Sequence, residues 1–274
     1  MLTGSALIAD INACALPPGQ AGLWWCGQQS WILKLGTDVL YLDPFLTPLA
    51  SRLVPPLLAP ADINNARVVT GSHDHLDHID RKMWPAIAAA SPGAVFAVPD
   101  LLRQRLAREI PLDADRLVGV NDGASVTVGG LRISGVAAAH EFLDADPATG
   151  RFPHLSFVIE GHGCTVFHAG DACLYEGLIT TLRQWRFDLM LLPINGRDAQ
   201  RYRAGCIGNM TYQEAADLAG SLAPGLVVPA HFDMFAGNRG DPEAFADYVR
   251  VKYPAQAVAL PRHGERMVVT ARRG

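Results

Sequence analysis

The chain has 274 residues, 49% of them apolar and 18% charged, with a formal net charge of −4. That length fits one large domain or two small ones and can bury a sizeable core. The composition excludes a disordered, collagen-like or disulfide-framework protein, and 23 Lys plus Arg against 27 Asp plus Glu argue against a nucleic-acid surface.

No apolar run approaches the roughly 18–20 residues that span a bilayer. Residues 6–9 are too short for the core of a signal peptide, and no basic residue precedes them. A soluble, cytoplasmic protein without a membrane partner is therefore expected. The five cysteines, Cys14, Cys26, Cys164, Cys173 and Cys206, form no C-x-x-C pair and are expected as free thiols.

The first twenty residues carry little pattern, end in Pro17-Pro18-Gly19 and read as an N-terminal arm, with a single domain over 21–274. Short apolar runs at 22–26, 30–35 and 39–43 then suggest an antiparallel meander, with Gly36-Thr37-Asp38 as one turn. Five prolines between 44 and 60 predict a long loop. A strand at 67–70, a His-rich turn and a helix within 80–90 follow, the helix beginning close to Pro85. A strand at 94–98 and a helix at 99–108 come next. Strands at 125–128 and 131–138 are separated by Gly129-Gly130, a hairpin signal. Strands at 156–160 and 165–169 flank a second glycine-containing turn, before a helical stretch at 174–185 and a strand at 189–193. Thr211 and Glu214 form a capping box that opens a helix over 211–222. A strand at 226–229, a helix at 242–253 behind Asp241 and Pro242, and strands at 257–260 and 267–270 complete the chain. Strand runs mixed with helices predict an α/β protein with two helix-covered sheets, a four-layer αββα sandwich.

The strongest chemical signal is Ser72-His73-Asp74-His75-Leu76-Asp77-His78, with three histidines and two carboxylates in six residues after an apolar strand. Imidazole and carboxylate suit borderline cations such as Zn²⁺. Further metal-capable groups arrive singly after β-type runs: His140, Asp171 beyond Gly170, and His231. All can gather along one edge of the sheets.

On these residues the chain resembles the metallo-β-lactamase superfamily, marked by H-x-H-x-D-H and later His, Asp and His ligands. It is most similar there to the L-ascorbate-6-phosphate lactonase-like branch, through Trp24-Trp25-Cys26-Gly27, the stretch 72–80, His168-Ala169-Gly170-Asp171 and Val228-Pro229-Ala230-His231-Phe232-Asp233. The region before His140 matches that branch poorly. The resemblance implies that His73, His75 and His140 hold one metal, that Asp77, His78 and His231 hold another, and that Asp171 bridges them. Asp43 would brace the His loop. The implied cofactors are two divalent ions, Zn²⁺ first and Mn²⁺ as an alternative. The implied activity is hydrolysis by a metal-activated hydroxide, with Asp77 orienting the nucleophile and a phosphorylated or acidic sugar lactone as substrate. Phosphodiester or phosphotriester hydrolysis is the alternative reading of the same metal pair, and a homo-oligomer is expected.

For an anionic small-molecule substrate, Asn195 and Arg197 follow the strand at 189–193, with Arg201 and Arg203 in the same loop. Arg197 is the favoured clamp because it comes soonest after the strand. Tyr175, four residues past Asp171, is the candidate donor to a leaving oxygen.

Overall fold

Neighbouring side chains along the first strands enter different cores. In β1 (Gln20–Trp25), Leu23 and Trp25 join one apolar cluster and Trp24 another. In β2 (Trp31–Leu35) and β3 (Asp38–Leu42) the same split separates Leu33 from Ile32 and Leu40 from Tyr41. Strands apolar on both faces belong to a sheet covered on both sides.

The computed structural model, which describes residues 1–272, has that architecture. The remaining strands are β4 (Val68–Thr70), β5 (Val95–Pro99), β6 (Leu117–Val120), β7 (Ser125–Val128), β8 (Leu131–Ala137), β9 (Leu155–Gly161), β10 (Cys164–His168), β11 (Leu189–Pro193), β12 (Leu226–Ala230) and β13 (Arg266–Thr270). Seven strands in the order β13-β1-β2-β3-β4-β5-β6 form one sheet, and six in the order β12-β11-β10-β9-β8-β7 form the other. Each sheet is antiparallel in one part and parallel in the other, with β3 to β6 parallel in the first and β10 to β12 in the second.

The helices are α1 (Gly4–Ala13), α2 (Trp84–Ala90), α3 (Asp100–Glu109), α4 (Leu178–Leu182), α5 (Ala199–Arg203), α6 (Tyr212–Leu222) and α7 (Pro242–Lys252). Leu7, Ile11, Trp84, Ile87 and Leu106 of α1, α2 and α3 cover the outer face of the first sheet with Trp24, Tyr41 and Phe96. Leu218 of α6 and Phe245 and Val249 of α7 join the cluster that contains β11 and the space between the sheets. This is the four-layer αββα sandwich. The unbroken apolar run of β11 fits a strand buried on both faces.

Three expectations need correction. The stretch read as a patternless arm holds α1, with Leu7, Ile8 and Ile11 buried on one face. Lys34 Nζ donates to the carbonyls of Ile11 and Asn12, so a cation satisfies the end of that helix. The helical stretch at 174–185 is regular only over α4, because Gly177 takes φ +95° just before it. The strand expected at 257–260 reduces to one bridge between Val227 and Val258. Strand β6 and helix α5, by contrast, have no counterpart in the sequence reading.

Candidate metal centre

The candidate ligands leave the ends of β4, β8, β10 and β12 at one edge of the two sheets. After β4 the chain makes a tight turn in which His75 O accepts from His78 N at 3.1 Å and Ile79 N at 2.8 Å. The side chain of Asp74 does not join the metal-capable groups. It pairs with Arg81 and with Arg105 of α3, and so anchors the turn from outside. Asp80, fully buried, accepts from Leu46 N, Thr47 N and Thr47 Oγ1 at 2.7–2.9 Å and ties the proline-rich loop to the same turn. Gly170 takes φ +60°, and a Cβ there would stand 2.8 Å from Ser72 Oγ. Glycine thus lets the chain before Asp171 pack directly on the His turn.

Two groups of side chains come together. His73, His75, His140 and Asp171 each offer a ligand atom within 4.8 Å of the others, as do Asp77, His78 and His231. Asp171 faces both groups. Its Oδ1 lies 3.2 Å from His78 Nε2 and 3.2 Å from His231 Nε2, and its Oδ2 lies 3.9 Å from His140 Nε2. His75 and Leu76 are exposed, which opens the centre to solvent on that side.

Beneath the centre, Asp43 is fully buried at the end of β3 with φ +45°. Its carboxylate accepts from Thr70 Oγ1 at 2.9 Å, Ser72 N at 3.1 Å and Ser72 Oγ at 2.5 Å, and meets His78 Nδ1 at 2.7 Å. His168 Nε2 lies 3.2 Å from the same carboxylate. A carboxylate behind a ligating imidazole fixes which ring nitrogen faces the metal.

The donor chemistry fits a cation. Both ring nitrogens of His140, His78 Nε2 and Asp171 Oδ1 are buried without a hydrogen-bond partner. His73 Nε2 faces His75 Nδ1 at 2.9 Å. Lone pairs converging on buried atoms otherwise carry a desolvation cost that a cation removes.

The electrostatics differ between the groups. Burial holds His73 well below the usual imidazole range, and burial pushes His140 down to about 4. Desolvation lowers His75 as well. These rings are therefore neutral and ready to donate lone pairs. Burial also opposes charge on His78 and His231, but Asp171 and Asp77 outweigh it and raise both. Burial disfavours the Asp171 anion, yet His231 and His78 hold it well below the ordinary carboxylate range. The second group thus retains positive charge beside its carboxylates, as protons or as a metal ion.

Other expected site residues lie elsewhere or are already engaged. Tyr175 Oη donates to Ala137 O at 2.8 Å, so its hydroxyl braces the end of β8 rather than reaching the cluster. Arg197, expected to clamp an anion, pairs both guanidinium nitrogens with Glu214 at 2.6 and 2.7 Å. Arg201 pairs with Asp198 at 2.6 Å and with Arg239 O. Asn195 is buried between Asn238 and Asn209. Arg203 is exposed and makes no ion pair among the described residues.

The sequence reading missed four polar residues around the centre. Besides Asp80 and His168, the His154 ring centroid lies 5.3 Å from that of His73, with Nδ1 buried and unpartnered. Gln28 Nε2 lies 2.9 Å from Asp77 Oδ2 and 2.9 Å from His231 Nε2. Only His168 and Asp80 carried a signal, since both adjoin the ligand-bearing stretches.

Comparison with known proteins gives the family and the fold. The family model for the β-lactamase superfamily domain matches residues 38–232. A metal-dependent hydrolase of Sulfurisphaera tokodaii is 27% identical over 87% of this chain and 99% of its own length. One of Thermofilum pendens is 29% identical over 81% of this chain and 85% of its own. The structure of Igni18, a metallo hydrolase from Ignicoccus hospitalis, shares the fold with a TM-score of 0.70 at 23% identity, covering 91% of this chain and 98% of that one. Among the described residues, no helix is long and apolar enough to cross a membrane.

Proposed function

The chain belongs to the metallo-β-lactamase superfamily and is a metal-dependent hydrolase, and we propose that it opens lactones at a dinuclear centre. The observation that carries the dinuclear reading is Asp171, whose two oxygens face the two ligand groups separately. His73, His75 and His140 would hold one divalent ion, Asp77, His78 and His231 the other, and Asp171 both. Zn²⁺ is the first candidate and Mn²⁺ the second. Bound there, the ions supply an acidified water as nucleophile and Lewis acidity toward the substrate oxygen.

The chain's own residues do the positioning. Asp77 is 19% exposed, against 5% for Asp171 and 0% for Asp43, and would orient an attacking oxygen. Asp43 holds His78 from behind. Leu76, Phe142, Tyr202 and Ile207 are exposed apolar groups on segments next to the ligands or bonded to them, with Tyr202 Oη donating to Glu141 Oε1 at 2.9 Å. They offer contact to the carbon ring of a lactone. Phosphorylated or acidic sugar lactones remain the first substrate candidates, and Arg203 is the arginine of that loop left to meet an anion.

Metal-loaded protein assayed on acidic lactones, neutral lactones and a bis-aryl phosphodiester tests this reading. Turnover of lactones above the phosphodiester is expected. A clear preference for the phosphodiester would replace the lactonase with a phosphodiesterase.

A further inference from the structure

We infer that Gln28 is an eighth member of the metal centre, its carboxamide oxygen serving as a neutral ligand to the cation held by Asp77, His78 and His231. The inference rests on the metal occupancy proposed above.

The backbone gives the first reason. Gln28 lies in the turn between β1 and β2, directly after Gly27, with φ +52°. This region is disfavoured for a residue with a Cβ, so a glutamine there needs a reason lodged in its side chain. Among the described residues only six non-glycines have positive φ: three are Gln28, Asp43 and His231, and Glu141 follows His140. The turn is also tethered to the ligand-bearing loop. Gln28 N donates to Asp233 Oδ1 at 2.8 Å, and Gln28 O accepts from His231 N at 2.9 Å and from Trp25 Nε1 at 3.1 Å.

The side chain gives the second. Gln28 is fully buried; its Nε2 donates to Asp77 Oδ2 at 2.9 Å and stands 2.9 Å from His231 Nε2. Ligand atoms bound at about 2.0–2.2 Å to one cation stand about 3.0–3.5 Å apart. The neighbouring separations are 3.2 Å for His78 to Asp171 and for His231 to Asp171, and 3.7 Å for His231 to Asp77. The amide terminus therefore stands at ligand-to-ligand spacing from two members of the group and would adjoin a cation held there. An N–H pointed at a ligating nitrogen and its cation is repelled. Turning the amide by half a rotation exchanges its nitrogen and oxygen within nearly the same volume. The rotation gives up the donation from Gln28 Nε2 to Asp77 Oδ2 in exchange for a bond to the cation, and Gln28 Oε1 has no partner where it now lies to lose. A carboxamide oxygen adds a donor without adding charge, and it suits harder ions of higher coordination number such as Mn²⁺.

The test is metal titration of the full-length chain with Mn²⁺, Zn²⁺ and Co²⁺ by chelator competition, together with the visible Co²⁺ spectrum. Wild type should take two equivalents. Gln28→Leu should keep the first and weaken the second by about 10–100-fold, more for Mn²⁺ than for Zn²⁺. Its Co²⁺ bands should intensify as the coordination number falls. Gln28→Glu should restore or tighten the second equivalent. The neighbouring Gln29, also buried and without a side-chain hydrogen bond, supplies the control: Gln29→Leu should titrate as wild type. If Gln28→Leu does not fold, Gln28→Asn and Gln28→Glu carry the test, and wild-type affinity and spectrum in both would overturn the inference. Two equivalents in wild type with an indistinguishable Gln28→Leu would overturn this inference alone. Less than one equivalent in wild type would overturn the metal-centre reading and this inference with it.

Discussion

Replacing Asp43 with asparagine tests whether the buried carboxylate under the His turn organises the centre. The substitution keeps the shape of the side chain and one acceptor oxygen. On Oδ1, the bonds from Thr70 Oγ1 and Ser72 N can survive. On Oδ2, an amino group would confront Ser72 Oγ at 2.5 Å and His78 Nδ1 at 2.7 Å, with His168 Nε2 at 3.2 Å. The charge-assisted bond to His78 is then lost, worth about 1.5–3 kcal/mol, while the Ser72 hydroxyl can turn to accept from the new amide. A buried charge pair broken on one side costs about 3–5 kcal/mol, and that is the loss expected in unfolding free energy of the metal-free protein. Metal affinity should fall by about 10–100-fold as well, because His78 loses the partner that orients its ring. Urea denaturation of metal-free protein and chelator competition measure the two effects separately. A stability loss below about 1 kcal/mol with unchanged affinity would mean that the carboxylate organises neither the fold nor the ligands.

Asp171→Ala removes the carboxylate that faces both ligand groups. Uptake of one equivalent at most is expected, with turnover at least about a hundredfold lower and an unchanged circular dichroism spectrum; wild-type turnover would refute the bridging role. Metal affinity should rise with pH. His78 and His231 are raised above their ordinary value by Asp171 and Asp77 against the opposing effect of burial, so each keeps a competing proton to higher pH than a free histidine. That competition is strongest below the raised values and fades above them. Chelator competition from about pH 6 to 8 reads it, and a flat profile would contradict the assignment of those two rings. Arg197→Ala should cost about 1 kcal/mol of stability, because its partly exposed fork holds Glu214 at the start of α6. KM for acidic and neutral lactones should change alike; a rise for acidic lactones alone would restore the anion clamp.

The parts of the centre legible in the sequence are those that local spacing encodes. His73, His75, Asp77 and His78 fall in one turn, while His140, Asp171 and His231 each follow a strand end that apolar runs reveal. Asp43, which closes a strand before Pro44, was named through the family resemblance. The two-sheet layering was legible because strand runs alternate with helical stretches along the whole chain. Gln28 was not legible, because its contact with His231 joins residues 203 positions apart and exists only once β1 and β12 are brought to one edge. Arg197 shows the complementary failure. Its place after β11 put it at the expected rim, but sequence position does not fix the direction of a side chain, and Glu214 on α6 captures the guanidinium. Helix α1 escaped notice because its amphipathic pattern is short and its end is completed by Lys34 from another element.

The engaged arginines bear on how an anion would be recognised. Under the proposed occupancy, two aspartates, Asp77 and Asp171, stand against two divalent ions, and the imidazoles of the first group are neutral. The centre itself then carries net positive charge, even with Asp43 buried behind it. A carboxylate formed by opening a lactone would meet that charge directly, in a site with several desolvated donors and therefore little screening. An arginine fork is redundant for holding such a group, and Arg197 is free to serve the capping box of α6 instead. Specificity among lactones then falls to the exposed apolar side chains beside the ligands, above all Leu76 and Phe142. Those positions, rather than the engaged Arg197 and Arg201, are where substitutions should change which ring is opened without changing whether metal is bound.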